Sequence, residues 1–316
     1  MKSRYIVQRL LSAFLTLLLL AALTFFLLRL APGGPFDGDK SFPPEIRANI
    51  ERRYGLQEPL PEQFVSWMRD VARGDFRESF QHDGMPVQDI IADALPVSFQ
   101  LGGLATLISL LLGVPLGLLA GARHSSWIDR SILFFTAIGT SLPSYLFASL
   151  LILVFALHLQ WFPVALWEEP LSVVLPSLTL ALRPLSLITQ IMRASVLECL
   201  TTDWVRTALS KGLTESQVLL KHILRNSLIP LTSLLAPIVA GLLTGSFLVE
   251  LTFQIPGLGK HFVSGVLNRD YPLVMGVTLT YGVILLGFTL AADLLSAWFD
   301  PRIRLEPKNN QRKVSP

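Results

Sequence analysis

The sequence is poor in charge and nearly without cysteine. Of its 316 residues 16% are Asp, Glu, Lys or Arg, while 51% are hydrophobic, a balance too apolar for a chain that folds in water and typical of an integral membrane protein. The single cysteine, Cys199, excludes a disulfide framework within the chain. A net charge of +3 spread over several segments gives no footprint for nucleic acid. Catalytic patterns are missing too. There is no His-Glu-x-x-His helix, no Ser-His pair and no pair of aspartates in facing apolar runs, which excludes the usual intramembrane enzymes. Gly257-Leu258-Gly259-Lys260 is not a phosphate loop, because Gln254 stands where the first glycine is needed and His261 where Ser or Thr is. No catalytic residue, metal site or cofactor is expected in this chain.

What the sequence does have is long apolar runs. Leu10 to Leu28, Ala94 to Ala122, Ser131 to Trp167, Asn226 to Val249 and Tyr271 to Ala292 hold no Asp, Glu, Lys or Arg, and each can cross a hydrocarbon core of roughly 30 Å. A sixth run, Leu171 to Met192, is interrupted by Arg183. Six spans place both termini on one side, and the basic residues say which. Lys2, Arg4 and Arg9 precede the first span, Arg123 and Arg130 lie between the second and third, and five Lys or Arg fall in each of Arg193 to Arg225 and Arg302 to Lys313. Basic short loops stay cytoplasmic, so both termini are expected there. The segment from Ala31 to Val97 has seven Lys or Arg against twelve Asp or Glu and belongs outside. No small-residue cleavage site closes the first run, which is expected to be a retained helix.

The outer segment has the pattern of a small helical cap. Ile46, Ile50 and Tyr54 share one face of a helix over Pro44 to Tyr54, stopped at Gly55. A second helix starts at Pro61, aligns Phe64, Trp67, Met68 and Val71, and stops at Gly74. In the second span Gly102, Gly103, Gly113, Gly117 and Gly121 recur at about four-residue spacing, which admits a close neighbouring helix. Pro115, Pro143 and Pro237 are expected to bend the second, third and fifth spans.

The second half has one long polar interruption, Asp203 to Pro230. Gly212 divides it into two short helical pieces. Thr214 and Gln217 form a capping box for the second, in which Val218, Leu219, Leu220, Ile223 and Leu224 recur at helical spacing while Lys211, Lys221 and Arg225 keep the other side charged. This describes an amphipathic helix lying across the mouth of a bundle. The run Arg206-Thr207-Ala208, then Gly212-Leu213, Val218-Leu219 and His222-Ile223-Leu224, resembles the cytoplasmic coupling motif of bacterial ABC-importer permeases. Arg206 stands where the general motif has Glu and Arg225 where it has Pro, as in the peptide/nickel branch. Arg29-Leu30-Ala31-Pro32-Gly33, Tyr54-Gly55-Leu56, Gly74-Asp75-Phe76, Ser79-Phe80 and Pro256-Gly257-Leu258-Gly259 are similar to the B-type oligopeptide permeases of that branch.

The resemblance implies an all-α membrane protein of six transmembrane helices with the type I importer permease fold and a small helical extracytoplasmic segment. Its divisions are an N-terminus and first span (1–30), an outer segment (31–93), a transmembrane core (94–299) with the coupling loop at 203–225, and a cytoplasmic tail (300–316). It implies oligopeptide import across the bacterial inner membrane, in company with a homologous second permease, two ATPase subunits that bind the ATP, and an extracytoplasmic peptide-binding protein. Dipeptides, glutathione, nickel complexes and antimicrobial peptides are alternative cargoes of the branch; a membrane enzyme or a homomeric channel is a remote alternative. Arg206, Thr207, Ala208, Gly212, Leu213, Val218, Leu219 and His222 are the candidate ATPase-coupling residues, and Arg183 and Glu250 the candidate path residues. Arg183 sits in a span at an insertion cost of about 2.5 to 3.5 kcal/mol, so it either lines the path and meets peptide, or pairs with Glu250, Asp293 or the partner permease.

Overall fold

The structure, a computed structural model, describes residues 2–30, 55–82, 84–243 and 247–299, which are helical apart from turns and one isolated bridge between Glu78 and Pro86. The helix expected over Pro44 to Tyr54 and the tail from 300 lie outside these residues. Helix α1, Lys2–Leu30, is followed by the outer helix α2, Leu60–Val71, and by α3, Val87–Ala122. Helix α4, Trp127–Ser141, and α5, Ser144–Leu151, come next, α5 running on as a π-helical stretch, Ile152–His158. After α6, Val174–Leu200, an inner loop leads to α10, Ile229–Leu243. Helices α11, Phe247–Thr252, and α12, Leu258–Leu267, form an outer turn before α13, Tyr271–Phe299.

Five stretches are long and apolar enough to cross a membrane: Val7–Leu30, Val87–Ala122, Pro170–Leu200, Leu234–Thr252 and Tyr271–Ala291. A sixth exists if α4 and the helix after it count as one broken span. Those two meet at 109°, so the bend expected at Pro143 in the apolar run Ser131 to Trp167 is a sharp one, at Leu142-Pro143. Proline disfavours helical backbone in the residue before it, and Leu142 is extended (ψ 125°). Pro96 and Pro115, by contrast, lie within an unbroken α3. That helix has 36 residues and a length of about 54 Å, and it begins at Val87, well before the expected Ala94. Asp89 and Asp93 bound the charge-free run, yet near a helix N-terminus carboxylates are favourable.

The α3–α6 pair forms the centre. Gly113 lies against Ile188, Gly117 against Thr189 and Met192, and Gly121 against Val196, while Gly102 meets the backbone of Leu242 on α10. Gly103 faces open space. Small residues at these points let backbones approach where lipid supplies no hydrophobic drive for helices to associate. Ser109 Oγ donates to Ala181 O across the seam at 3.1 Å.

Helix α2 seats on the ends of α1 and α13. Trp67 is fully buried with Phe25, Ala21, Tyr271 and Met275, flanked by Phe64, Met68 and Val71, which is the face the spacing foretold. Gln63 Nε2 donates to Leu56 O and Glu58 O, and its Oε1 accepts from Arg29 Nε at 3.0 Å.

Two buried carboxylates hold α12 at its two ends. At the first, Glu250 accepts from Ser98 Oγ at 3.2 Å and from the Lys260 N–H at 3.0 Å, while Ser98 Oγ accepts the Leu258 N–H. At the second, Asp270 accepts from the Ser79 hydroxyl, the Phe80 N–H at 3.1 Å, the Gln81 N–H at 3.4 Å and the Leu273 N–H at 3.3 Å. Asp270 thus caps α13 and ties residues 79–81 to a position some 190 residues later in the chain. His82 packs edge-on against His261 at the same junction, ring centroids 6.2 Å apart. Burial, with His82 and Lys260 nearby, holds the His261 imidazole below its ordinary value and so neutral.

Two predictions follow from these contacts. In Gly117→Ala the new methyl would lie 2.6 Å from the Thr189 carbonyl oxygen, and thermal-shift measurement should show a loss of about 1–3 kcal/mol from overpacking; Gly103→Ala should be near neutral. Asp270→Ala should cost about 2–3 kcal/mol by orphaning buried donors, and limited proteolysis should then cut the segment at 79–82, which the native chain protects.

Candidate functional site

The inner loop is a built surface. Helix α7, Asp203–Ser210, ends at Gly212, whose φ of +83° is a conformation open to glycine and strained for other residues. Thr214 then caps α8, Glu215–Val218, by a reciprocal box: Thr214 Oγ1 accepts the Gln217 N–H, and Gln217 Oε1 accepts the Thr214 N–H at 3.1 Å. One π-helical turn, Leu219–Ile223, leads into α9, Leu224–Ser227. Division at Gly212 and the capping box are both as the sequence indicates.

The loop's inner face is apolar and buried. Val205, Val218 and Ile223 pack with Leu118 of α3 and Val196 of α6, with Cys199, Ala208, Leu213, Leu219 and Leu224 around them. The loop is therefore packed onto one end of the central helix pair. Of the candidate coupling residues, Arg206, Thr207, Gly212 and His222 are exposed, Ala208, Leu213 and Leu219 are half-buried, and Val218 is 2% exposed. Val218 is corrected to a support of the loop, since a side chain sealed against the bundle has nothing to offer a partner.

A second correction concerns Leu220. Helical spacing put it on the buried face, but it is 59% exposed, because Val218, Leu219 and Leu220 cannot all face one way and the π turn inserts an extra residue into the register. With Trp204 and Leu209, both also exposed, it makes an apolar set on the outer face that the sequence reading passed over. The signal was present in Leu209, two residues before the exposed Lys211, and in Leu220, next to the exposed Lys221. Large apolar groups on a polar loop mark a contact surface.

The two candidate path residues are not brought together. Glu250 is fully buried and its carboxylate accepts from the Ser98 hydroxyl and from the Lys260 N–H in the first turn of α12, the geometry of an anchor. Arg183 is exposed near the middle of the fourth span and makes no hydrogen bond or ion pair with any described residue. The proposed pair with Glu250 is not formed, and the Asp293 side chain lies outside the described residues. A guanidinium at that depth faces water or a partner chain, since lipid would leave its donors unmet.

Comparison with known proteins agrees with this geometry. The family described as binding-protein-dependent transport system inner membrane component matches residues 113–305, and its N-terminal companion matches residues 2–102. An oligopeptide transport system permease protein of Haemophilus influenzae is 41% identical over 303 residues, 95% of this chain and 99% of the relative. A dipeptide transport system permease protein of Bacillus subtilis is 38% identical over 306 residues, 97% and 99% of the two chains. Among solved structures, inward-facing MetNI methionine ABC transporter aligns with a TM-score of 0.55 at 14% identity, over 67% of this chain and 97% of that one. An amino acid ABC transporter gives 0.54 at 17% identity, over 67% and 94%; at such identities the fold is what is shared. A chain with five or six candidate spans among its described residues, matched over nearly its whole length, belongs to the binding-protein-dependent transport system inner membrane components, the permease subunits of ABC transporters.

Proposed function

We propose that the chain is one of two homologous permease subunits of an importer that carries oligopeptides across the bacterial inner membrane. Two ATPase subunits bind and hydrolyse the ATP, and an extracytoplasmic binding protein delivers the peptide. Both termini lie in the cytoplasm, with the α2 cap and α12 outside. The observation that carries this reading is the inner loop: an exposed surface of Trp204, Arg206, Leu209, Leu220 and His222, cemented through Val205, Val218 and Ile223 to the central helices. A surface so built can transmit a push. When ATP draws the ATPase subunits together the loop is carried with them and the bundle opens outward; hydrolysis reverses the movement.

Arg183 supports peptide as cargo. It offers a full set of guanidinium donors at mid-span, suited to the carboxylate or backbone carbonyls of a passing peptide. The relatives include both oligopeptide and dipeptide permeases at similar identity, so peptide length is the variable to test.

In reconstituted complex, binding protein loaded with oligopeptide should stimulate ATP hydrolysis. Gly212→Pro should abolish the stimulation in an otherwise assembled complex, because proline cannot adopt the +83° φ of that position. An intact native complex that responds to neither oligopeptide nor dipeptide would remove peptide as the cargo. Arg183→Gln should lower uptake of labelled peptide about tenfold, the worth of one charge-assisted hydrogen bond. Uptake at the native rate would end the path role of Arg183.

A further inference from the structure

One cluster stands apart from these contacts. Arg193 of α6 donates from Nε to Asp129 Oδ1 at 2.6 Å and from Nη2 to Asp129 Oδ2 at 2.9 Å, a bidentate pair whose side chains are 19% and 3% exposed. Asp129 Oδ2 also accepts the Ser125 N–H at 3.0 Å, and the Asp129 N–H donates to Ser126 Oγ, the cap of α4. His124 Nδ1 lies 3.2 Å from Arg193 Nη2 and 3.4 Å from Asp129 Oδ2. The turn between α3 and α4, the first turn of α4 and the inner third of α6 therefore meet at one ion pair.

Little else holds the inner end of α4. Trp127, Phe134 and Phe135 are exposed, and the described buried residues of this helix are Asp129, Ile132, Thr136 and Gly139, of which Ile132 is the one large apolar side chain. Within a membrane apolar contact gives helices little reason to stay together, whereas a bidentate Arg–carboxylate pair fixes both distance and orientation. On the opposite side of Arg193 the α3 glycines close in, a Cβ at Gly117 falling 3.2 Å from the Arg193 nitrogen and one at Gly121 3.2 Å from its carbonyl oxygen. One turn further along α6, Val196 enters the apolar layer beneath the inner loop.

We propose that the Asp129–Arg193 pair joins the inner end of α4 to the α3–α6 pair, so that α3, α4, α6 and the inner loop move as one block. Asp129 and Arg193 are positioning residues: they touch neither ATP nor peptide, and they decide that a push on the loop turns the third span as well as the fourth. This rests on the reading of the inner loop as the ATPase-facing lever.

The test uses the full complex with spin labels at Trp127→Cys and Thr201→Cys in a Cys199→Ser background. The interlabel distance should be single and unchanged between the nucleotide-free and the vanadate-trapped states. Arg193→Met should broaden it and lower peptide transported per ATP about tenfold, within the usual range of coupling between linked sites, while the ATPase subunits still co-purify. The reversed pair Asp129→Arg with Arg193→Asp should restore the ratio. A native distance that changes between the two states overturns the proposal, as does Arg193→Met working at the native ratio. Should Arg193→Met fail to assemble, the native distances decide alone. Gly212→Pro run alongside separates the two ideas: if it leaves coupling intact the lever reading fails, and if it uncouples while Arg193→Met does not, the joint alone fails.

Discussion

Helices surrounded by lipid tails gain nothing by hiding apolar surface from one another, so shape and hydrogen bonding must hold them. In this chain the constraint is met along the seam between Val87–Ala122 and Val174–Leu200. Gly113, Gly117 and Gly121 are spaced so that the facing backbone, with Ile188, Thr189, Met192 and Val196, comes into contact. Every other feature is referred to that seam. The inner loop is packed on its lower end, the bend after Ser141 turns beside it, and the outer anchor Glu250 takes a hydroxyl from Ser98 of the same long helix.

The two faces of the bundle are built by different chemistry. The inner loop is held by apolar burial of Val205, Val218 and Ile223, leaving its polar and large apolar outer face exposed. Outside, the short helix Leu258–Leu267 hangs between two buried carboxylates, each satisfied mainly by backbone N–H groups and serine hydroxyls. Buried anions met by several donors fix a loop more narrowly than apolar contact does. The outer turn is thus held by directed hydrogen bonds, and the inner loop by apolar packing on the central pair of helices.

The sequence determined much of this by itself. Charge-free runs located the spans, basic residues suggested an orientation, Gly212 and the Thr214–Gln217 box delimited the inner helices, and the spacing of Phe64, Trp67, Met68 and Val71 gave the buried face of the outer one. These features depend on neighbours within a turn or two, and local rules reach that far. The family was legible for the same reason, since its motifs are short and in order.

What the sequence could not supply were contacts between residues distant in the chain. Hydropathy counts a bent pair of helices as one run, so Pro143 marked a bend but nothing local set its angle of 109°. Glu250, just past the fifth apolar run, was legible as a buried candidate but its donors, Ser98 and the Lys260 N–H, were not. Arg193 read as one more basic residue of a loop, and its ion pair with Asp129, 64 residues away, formed only when the helices packed. The register around Leu220 is shifted by one π turn, Leu219–Ile223, which the sequence pattern did not mark. Local pattern decided which elements form. Packing decided which of their charges are anchors, joints or free donors, because a carboxylate's role is set by the groups that reach it.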